Sequence, residues 1–324
     1  MKLNYPKTTN SKTSISLIVS VFNEEEVLSN FWLAIKSTIK TDLIDFDCQV
    51  VFVNDGSSDK SQSIINGFMK EDNDGIRVKS IEFSTNFGHE AAMIAGIDNT
   101  DDDIVICMDA DLQHPPSAIK HMLEKYNEGF EIVLMNRTKR HDKKFFSNAM
   151  SKLFYVVIDL LSDTHFEKNA SDFFMISKNV STVLKNEYRE RNRFLRGYIQ
   201  ILGFNITTLE FEAPARSAGK SNYSFKSLLK LASTAIFAFS NKPLIISLAF
   251  SLLFLLFSLG LMIFSLIVYF FGDTPPSGYT TLIMFQSIGF TILCFLISIL
   301  SIYFGKSLSE LRDRPIYLIK SIKQ

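Results

Sequence analysis

The stretch Ile104-Val105-Ile106-Cys107-Met108-Asp109-Ala110-Asp111-Leu112-Gln113-His114-Pro115-Pro116 sets the frame for the chain. A short apolar run of this kind reads as a strand buried on both faces. It runs straight into two carboxylates one residue apart, then an amide, then a double proline. Open α/β sheets bind their ligands beyond the carboxyl ends of strands. Asp109, Asp111 and Gln113 therefore stand where a ligand is expected. Hard oxygen donors in that position suit Mg²⁺ or Mn²⁺. Such a cation bridges the phosphates of a bound diphosphate and takes up leaving-group charge. An Asp-x-Asp alone is a weak signal, because solvated acidic turns are common. Its place directly after a buried strand is what raises it above them.

The same pattern recurs upstream. Ile15–Phe22 is a β-rich run that ends in Asn23-Glu24, and a helical pattern follows through Phe31, Ile35 and Ile39. Trp32, the only tryptophan, sits at helical spacing with Ile35 and reads as packing. Asp47–Asn54 is a second strand, ended by Asp55-Gly56-Ser57-Ser58-Asp59. A helix over Lys60–Lys70, a strand over Arg77–Phe83, a helix over Glu90–Asn99 and a strand over Asp103–Met108 complete the series. Short strands alternating with helices predict an α/β fold with a Rossmann-like, doubly wound, mostly parallel sheet. No Gly-x-Gly-x-x-Gly follows the first strand and no Walker-type loop is present, so the usual nicotinamide and P-loop signatures are missing. The strand ends carry Asn23, Glu24, Asp55 and Asp109 instead, which suit the hydroxyls and base edge of a nucleotide. His89 and His114 read as polar loop residues, and His121 as surface.

Lys and Arg total 34 and Asp and Glu total 34, so the formal charge is zero, which argues against bulk nucleic-acid binding. The zero hides a partition. Residues 1–184 are acidic, residues 185–242 are basic, 243–305 carry the single charge Asp273, and 306–324 are basic again. About 20 apolar residues cross a bilayer core. Residues 243–272 and 279–305 are therefore expected to form two transmembrane helices, joined by a short outside loop at 273–278. The loop lacks Lys and Arg, whereas Lys226, Lys230 and Lys242 precede the hairpin and Lys306, Arg312 and Arg314 follow it. The positive-inside rule then places both termini and a catalytic domain, residues 1–223, on the cytoplasmic side. No signal peptide is read at the N-terminus. Residues 224–241 form an amphipathic juxtamembrane helix, 145–161 a second interfacial candidate, and 306–324 a basic tail. Cys48, Cys107 and Cys294 are too few and too scattered for a disulfide framework and read as buried thiols.

These features together resemble a family-2 glycosyltransferase of the GT-A fold, in the branch that charges polyprenyl phosphates. That branch includes dolichyl-phosphate mannose synthases and bactoprenol glucosyltransferases. The resemblance rests on Val21-Phe22-Asn23-Glu24-Glu25, Val53-Asn54-Asp55-Gly56-Ser57-Ser58-Asp59, Asn86-Phe87-Gly88-His89-Glu90-Ala91-Ala92 and the Asp109–Pro116 segment. It extends to Ser171-Asp172-Phe173, Arg193-Phe194-Leu195-Arg196-Gly197 and the run from Arg216 to Ser224. The hairpin and Arg314-Pro315-Ile316-Tyr317 resemble the bactoprenol enzymes in particular.

The resemblance implies inverting transfer of a sugar, from UDP-glucose or another UDP-hexose, to undecaprenyl phosphate at the inner (plasma) membrane. The product would be a lipid-linked sugar for O-antigen, cell-wall or other surface glycans. It implies Asn23, Glu24, Asp55 and Asp109 for the nucleotide sugar, Asp109, Asp111 and Gln113 for the metal, and Asp172, Asp111 and Arg196 for catalysis. Arg193, Arg196, Arg216 and Lys220 would grip phosphates. A lipid phosphate is already anionic, so Asp172 is expected to orient more than to remove a proton. The resemblance further implies the bilayer, a homo-oligomer (a tetramer) and a flippase as partners. A GDP-mannose-dependent mannose synthase is the alternative, and an inactive membrane scaffold is the remote one. A processive synthase is disfavoured, because its Gln-x-x-Arg-Trp element is missing. The branch often has Arg at the positions of Thr85 and Phe174, and these departures leave the donor sugar open.

Overall fold

The computed structural model describes residues 12–71, 73–137, 170–190, 195–212, 242–271, 278–312 and 314–324. Its elements in order are β1 (Ser14–Val21), α1 (Leu28–Asp42), β2 (Asp47–Asn54), α2 (Ser61–Phe68), β3 (Arg77–Phe83), α3 (His89–Asp98), β4 (Ile104–Asp109) and α4 (Ala118–Asn127). There follow β5 (Ile132–Arg137), β6 (Ala170–Ser177), α5 (Lys178–Asn186), α6 (Leu195–Ile201), β7 (Ile206–Phe211), α7 (Lys242–Phe271), α8 (Tyr279–Leu311) and β8 (Ile319–Lys323). The sheet, helices α1 to α6 and the C-terminal residues from Arg314 form one compact unit, and α7 and α8 belong to another.

The eight-stranded sheet runs β7-β5-β6-β4-β1-β2-β3-β8. The expected parallel pairings are present: β1 lies parallel to both β2 and β4, and β2 to β3. Two strands depart from the doubly wound reading. β6 lies antiparallel between β4 and β5, and β8 lies antiparallel against β3. The expected basic tail thus includes a sheet strand. Lys320 pairs with Glu82, and Ser321 donates to the same carboxylate at 3.0 Å. Neighbouring strands so far apart in sequence leave no local pattern, because pairing is set across the sheet.

Strands β1, β2 and β4 are apolar and almost wholly buried because helices cover both faces. On one face Phe31, Trp32, Ile35 and Ile39 of α1 pack on Leu17, Val19 and Phe52. Trp32 stacks on Phe68 at 5.2 Å, which bears out its reading as packing. Helix α3 covers the other face with small residues. A Cβ at Gly96 would fall on the Cγ2 of Ile18, itself fully buried. Alanine gains about 1 kcal/mol over glycine in helix propensity, but overpacking a filled core costs about 1–3 kcal/mol. Gly96→Ala should therefore lower the denaturant midpoint with an unchanged slope, and a raised midpoint would contradict the close approach.

Cys48 and Cys107 are buried as expected, but Cys294 is exposed on α8. That helix presents apolar side chains outward, including Phe295 and Leu300. Among the described residues, Met284–Gly305 is a helix long and apolar enough to cross a membrane, and Ser247–Leu261 is a shorter apolar run. Phe254 of α7 stacks on Phe285 of α8 at 5.6 Å. Gly289 leaves the space that the Phe254 ring enters. The segments 145–161, 224–241 and most of 273–278 lie outside the described residues.

Candidate active site

Strand β1 has β2 and β3 on one side and β4 on the other, so the order reverses between β1 and β4. A crevice at the carboxyl ends of strands opens at such a switch point. Ser20 and Asp109 are register partners there, and Ser20 Oγ donates to Asp109 Oδ1 at 3.3 Å. β6 adds the next carboxylate. Its last paired residue, Phe174, faces Cys107, and continuing that antiparallel register by two residues sets Asp172 across from Asp109.

His89, the first residue of α3, fills the space between them. Its Nδ1 is 2.8 Å from Ser20 Oγ, and its Nε2 is 3.4 Å from Asp109 Oδ1 and 3.6 Å from Asp172 Oδ2. Burial alone would lower the imidazole pKa, but the carboxylates of Asp109, Asp172 and Glu90 outweigh burial and raise it. Asp109 moves in the opposite sense. Burial opposes its charge, yet His89, His114, the Ser20 hydroxyl and Arg137 hold its carboxyl below the usual range. Arg196 of α6 lies on the far side, with Nη1 3.9 Å from Asp172 Oδ1. Asp172 thus stands between the His89 imidazole and the Arg196 guanidinium.

His89 is therefore a helix residue inside the cluster rather than a polar loop residue. His114 lies in the loop after β4, as expected, but is buried there. It is 2% exposed, stacks on Phe173 at 4.9 Å, and its Nδ1 accepts the Asp109 N–H at 3.0 Å. Burial foremost lowers its pKa, consistent with a neutral ring that accepts at Nδ1. Ser20, His89, Glu90 and Arg137 carry no distinct signal in the sequence. Only the position of His89 and Glu90 directly after Asn86-Phe87-Gly88 marks them.

Asp109 and Asp111 close the β4 end as two carboxylates. The Gln113 N–H donates to Asp111 Oδ1 at 3.0 Å, and the side-chain Oε1 of Gln113 accepts from Arg137 at 2.8 Å. The amide oxygen expected as a third metal ligand is thereby engaged by a guanidinium. Among the described residues no group of three or more His, Cys, Asp or Glu side chains is arranged so as to hold a metal ion by itself. Mg²⁺ is commonly held by one or two carboxylates, with substrate phosphates and water completing the shell. An ionised Asp109 beside Asp111 fits that donor set.

Asp55 turns inward. It is 2% exposed. Its Oδ1 accepts the Phe87 N–H at 2.6 Å, and its Oδ2 accepts the Gly88 N–H and Asn86 Nδ2, both at 2.9 Å. The carboxylate holds the loop that leads into His89. Gly56 beside it has φ +69°, and a Cβ there would lie 2.7 Å from the Asn86 N. Asn23, at φ 54°, ties the β1 and β2 loops: its Oδ1 accepts the Ser58 N–H at 2.9 Å, and its own N–H donates to Ser57 Oγ at 3.0 Å. The Glu24 N–H donates to Ser61 Oγ at 3.0 Å, and its carbonyl accepts from Val27 and Leu28 as α1 begins. Thr85 is exposed, whereas Phe174 is fully buried within the sheet. Arg193, Arg216 and Lys220 lie outside the described residues.

Glu90 follows His89, and its Oε2 accepts the Leu195 N–H at the start of α6 at 3.3 Å. Burial first, then the Asp172 carboxylate, push its carboxyl up to about 7, against the Leu195 N–H, Arg196 and His89. The folded pKa lies above the ordinary 4.5. The folded state therefore holds this proton more tightly than the unfolded chain. The resulting stability is full below 4.5 and is lost as pH rises through about 7. Glu90→Gln keeps an acceptor for Leu195 and removes the charge. Its thermal midpoint relative to the parent should be higher at pH 8 than at pH 5. Equal offsets at both pH values would contradict the raised pKa.

The mostly parallel α/β sheet, with an acidic pair at its switch point, has the GT-A-like arrangement that the resemblance implies. The chain belongs to glycosyl transferase family 2, whose pattern it matches over residues 16–184. It is 33% identical to a bactoprenol glucosyl transferase of Shigella phage SfV, over 96% of this chain and 99% of that protein. It is 31% identical to an Escherichia coli (strain K12) protein named prophage bactoprenol glucosyl transferase homolog, over 96% of this chain and 99% of that one. A Bacillus subtilis (strain 168) protein, uncharacterized glycosyltransferase YkcC, is 34% identical over 94% and 93% of the two chains.

Proposed function

We propose that this glycosyltransferase moves a hexose from a UDP-sugar to undecaprenyl phosphate at the cytoplasmic face of the plasma membrane. The observation that carries the reading is the convergence of Asp109, His89, Asp172 and Arg196 within 3.4–3.9 Å steps at the switch point. Full-length similarity to proteins named bactoprenol glucosyl transferase supports the acceptor class.

A phosphate oxygen of the acceptor attacks the anomeric carbon. The bond from that carbon to the donor diphosphate breaks with its electron pair, and configuration inverts. The acceptor is already anionic, so no strong base is needed. The demand is to bring two anions together, and cationic side chains aimed at their oxygens meet it. Arg196 serves the phosphates, and Asp172, between Arg196 and His89, orients them. Asp109 and Asp111 would hold a divalent cation that offsets diphosphate charge when bound. Asp55 acts behind the nucleotide by holding the 86–88 loop, and Asn23 holds the loop beside it. Helices α7 and α8 are read as two spans, over 243–272 and 279–305, with both flanks cytoplasmic. The uncharged run and the outward apolar face of α8 support this.

The test is a donor panel. Purified full-length protein is mixed with labelled UDP-glucose, UDP-galactose, UDP-N-acetylglucosamine and GDP-mannose, with Mg²⁺ or Mn²⁺ and undecaprenyl phosphate. A chloroform-soluble labelled product from a UDP-hexose is expected. Product from GDP-mannose alone would overturn the donor class, and no lipid-linked product from any donor would overturn the reading.

A further inference from the structure

The motif Arg314-Pro315-Ile316-Tyr317 is not used by the site as described so far. Its tyrosine nevertheless contacts Phe83 at the end of β3 and Asp98 at the end of α3, the two elements that flank the 84–88 loop. The ring of Tyr317 stacks on Phe83 with centroids 5.2 Å apart and planes 8° from parallel. Phe83 in turn meets Phe87 edge-on at 5.7 Å. The next residue, Leu318, accepts the Ser84 N–H at 3.0 Å through its carbonyl. These contacts grip the entry to residues 84–88, whose inner side is held by Asp55. The Tyr317 hydroxyl reaches the other end of α3 and donates to Asp98 Oδ2 at 2.7 Å. Arg189 donates to both oxygens of the same Asp98 carboxylate, at 2.7 and 3.0 Å. Burial, then the Asp98 carboxylate, raise the phenol pKa, so it remains a donor.

We propose that Tyr317 is a positioning residue of the donor site, which clamps the 84–88 loop against β3 and so sets His89 between Asp109 and Asp172. Its consequence for donor binding rests on the proposed function, whereas its hold on the loop does not. α8 ends at Leu311. The chain that leaves the apolar helix therefore becomes part of the donor site six residues later. Aromatic stacking beyond simple burial is a directional contact, and here it acts on backbone that has no helix or strand of its own to hold it.

The test uses full-length protein in nanodiscs, with Tyr317→Ala and Tyr317→Phe. Hydrogen exchange is followed at the Phe87 and Gly88 amides, and donor KM and kcat are measured in parallel. Tyr317→Ala should speed exchange at those two amides about tenfold, with β1 and β4 amides unchanged. It should raise donor KM about fivefold or more, with kcat within about twofold. Tyr317→Phe keeps the stack and should restore both loop protection and donor KM. If Tyr317→Ala does not fold, Phe83→Leu removes the same stack from the other side and should give the same signature. Unchanged exchange at Phe87 and Gly88, or faster exchange spread evenly over the sheet, would overturn the proposal. If the parent protein transfers no sugar, the functional reading falls alone, because the exchange measurement still decides whether Tyr317 holds the loop.

Discussion

Asp109→Asn should cut sugar transfer about a thousandfold, roughly 4 kcal/mol of transition-state stabilisation, while the thermal midpoint stays close to the parent value. The argument starts from the neighbours of this carboxylate. Ser20 donates to it, and the nearest ring nitrogens of His89 and His114 lie 3.4 and 3.7 Å away. Asparagine has nearly the same shape, so packing survives, and His114 still accepts the backbone N–H of residue 109. Two things are lost together. The negative charge that raises the His89 pKa is reduced, and an anionic donor for a divalent cation becomes neutral. Single-turnover rates at saturating donor, with circular dichroism for the fold, decide the matter. A variant that keeps a tenth of parent turnover would remove Asp109 from the centre of the mechanism.

Asp55→Asn should destabilise the protein by about 2–4 kcal/mol and weaken donor binding. The parent carboxylate accepts three hydrogens, from the Phe87 and Gly88 backbone and from Asn86 Nδ2. An asparagine offers one oxygen and an NH₂ group in their place. Whichever way it is turned, an NH₂ faces a backbone N–H, and one buried donor is left unmet. On its β2 side the loop runs close to Gly56, where the Thr85 and Asn86 backbone leaves no room even for a Cβ. The carboxyl itself is raised by burial, opposed by the Phe87 and Gly88 hydrogen bonds. A denaturant series gives the stability change, and donor KM gives the functional one. An unchanged midpoint would show that the 86–88 loop holds its shape without Asp55.

The strands β1 to β4 and the carboxylates at their ends were legible because both signals are local. An apolar run of strand length, ended by Asn23-Glu24, by Asp55-Gly56 or by Asp109-Ala110-Asp111, needs nothing from the rest of the chain to be read. Helix α1 announced itself by the spacing of Phe31, Ile35 and Ile39. His89 was misread because its neighbours in sequence are loop residues, whereas its neighbours in space are Asp109 and Asp172. His114 does lie in the loop after β4, but its burial went unread, since its stack on Phe173 of β6 joins residues distant in sequence. Asp55 looked like an open ligand because a carboxylate after a strand usually is. Only the return of residues 86–88 shows that its oxygens are engaged.

Composition and periodicity by themselves determined an α/β fold with acidic strand ends and an apolar C-terminal region, and the resemblance of the motifs pointed to glycosyl transferase family 2, to which the chain belongs. Those properties are written in consecutive residues. The tertiary structure alone decided the rest. It ran β6 antiparallel so that Asp172 comes to Asp109, aimed Gln113 at Arg137, and brought Tyr317 and β8 back to the β3 edge. Each of these joins residues tens to hundreds of positions apart through a strand register or a side-chain contact. Such contacts depend on the whole folded chain, and no short window of sequence encodes them.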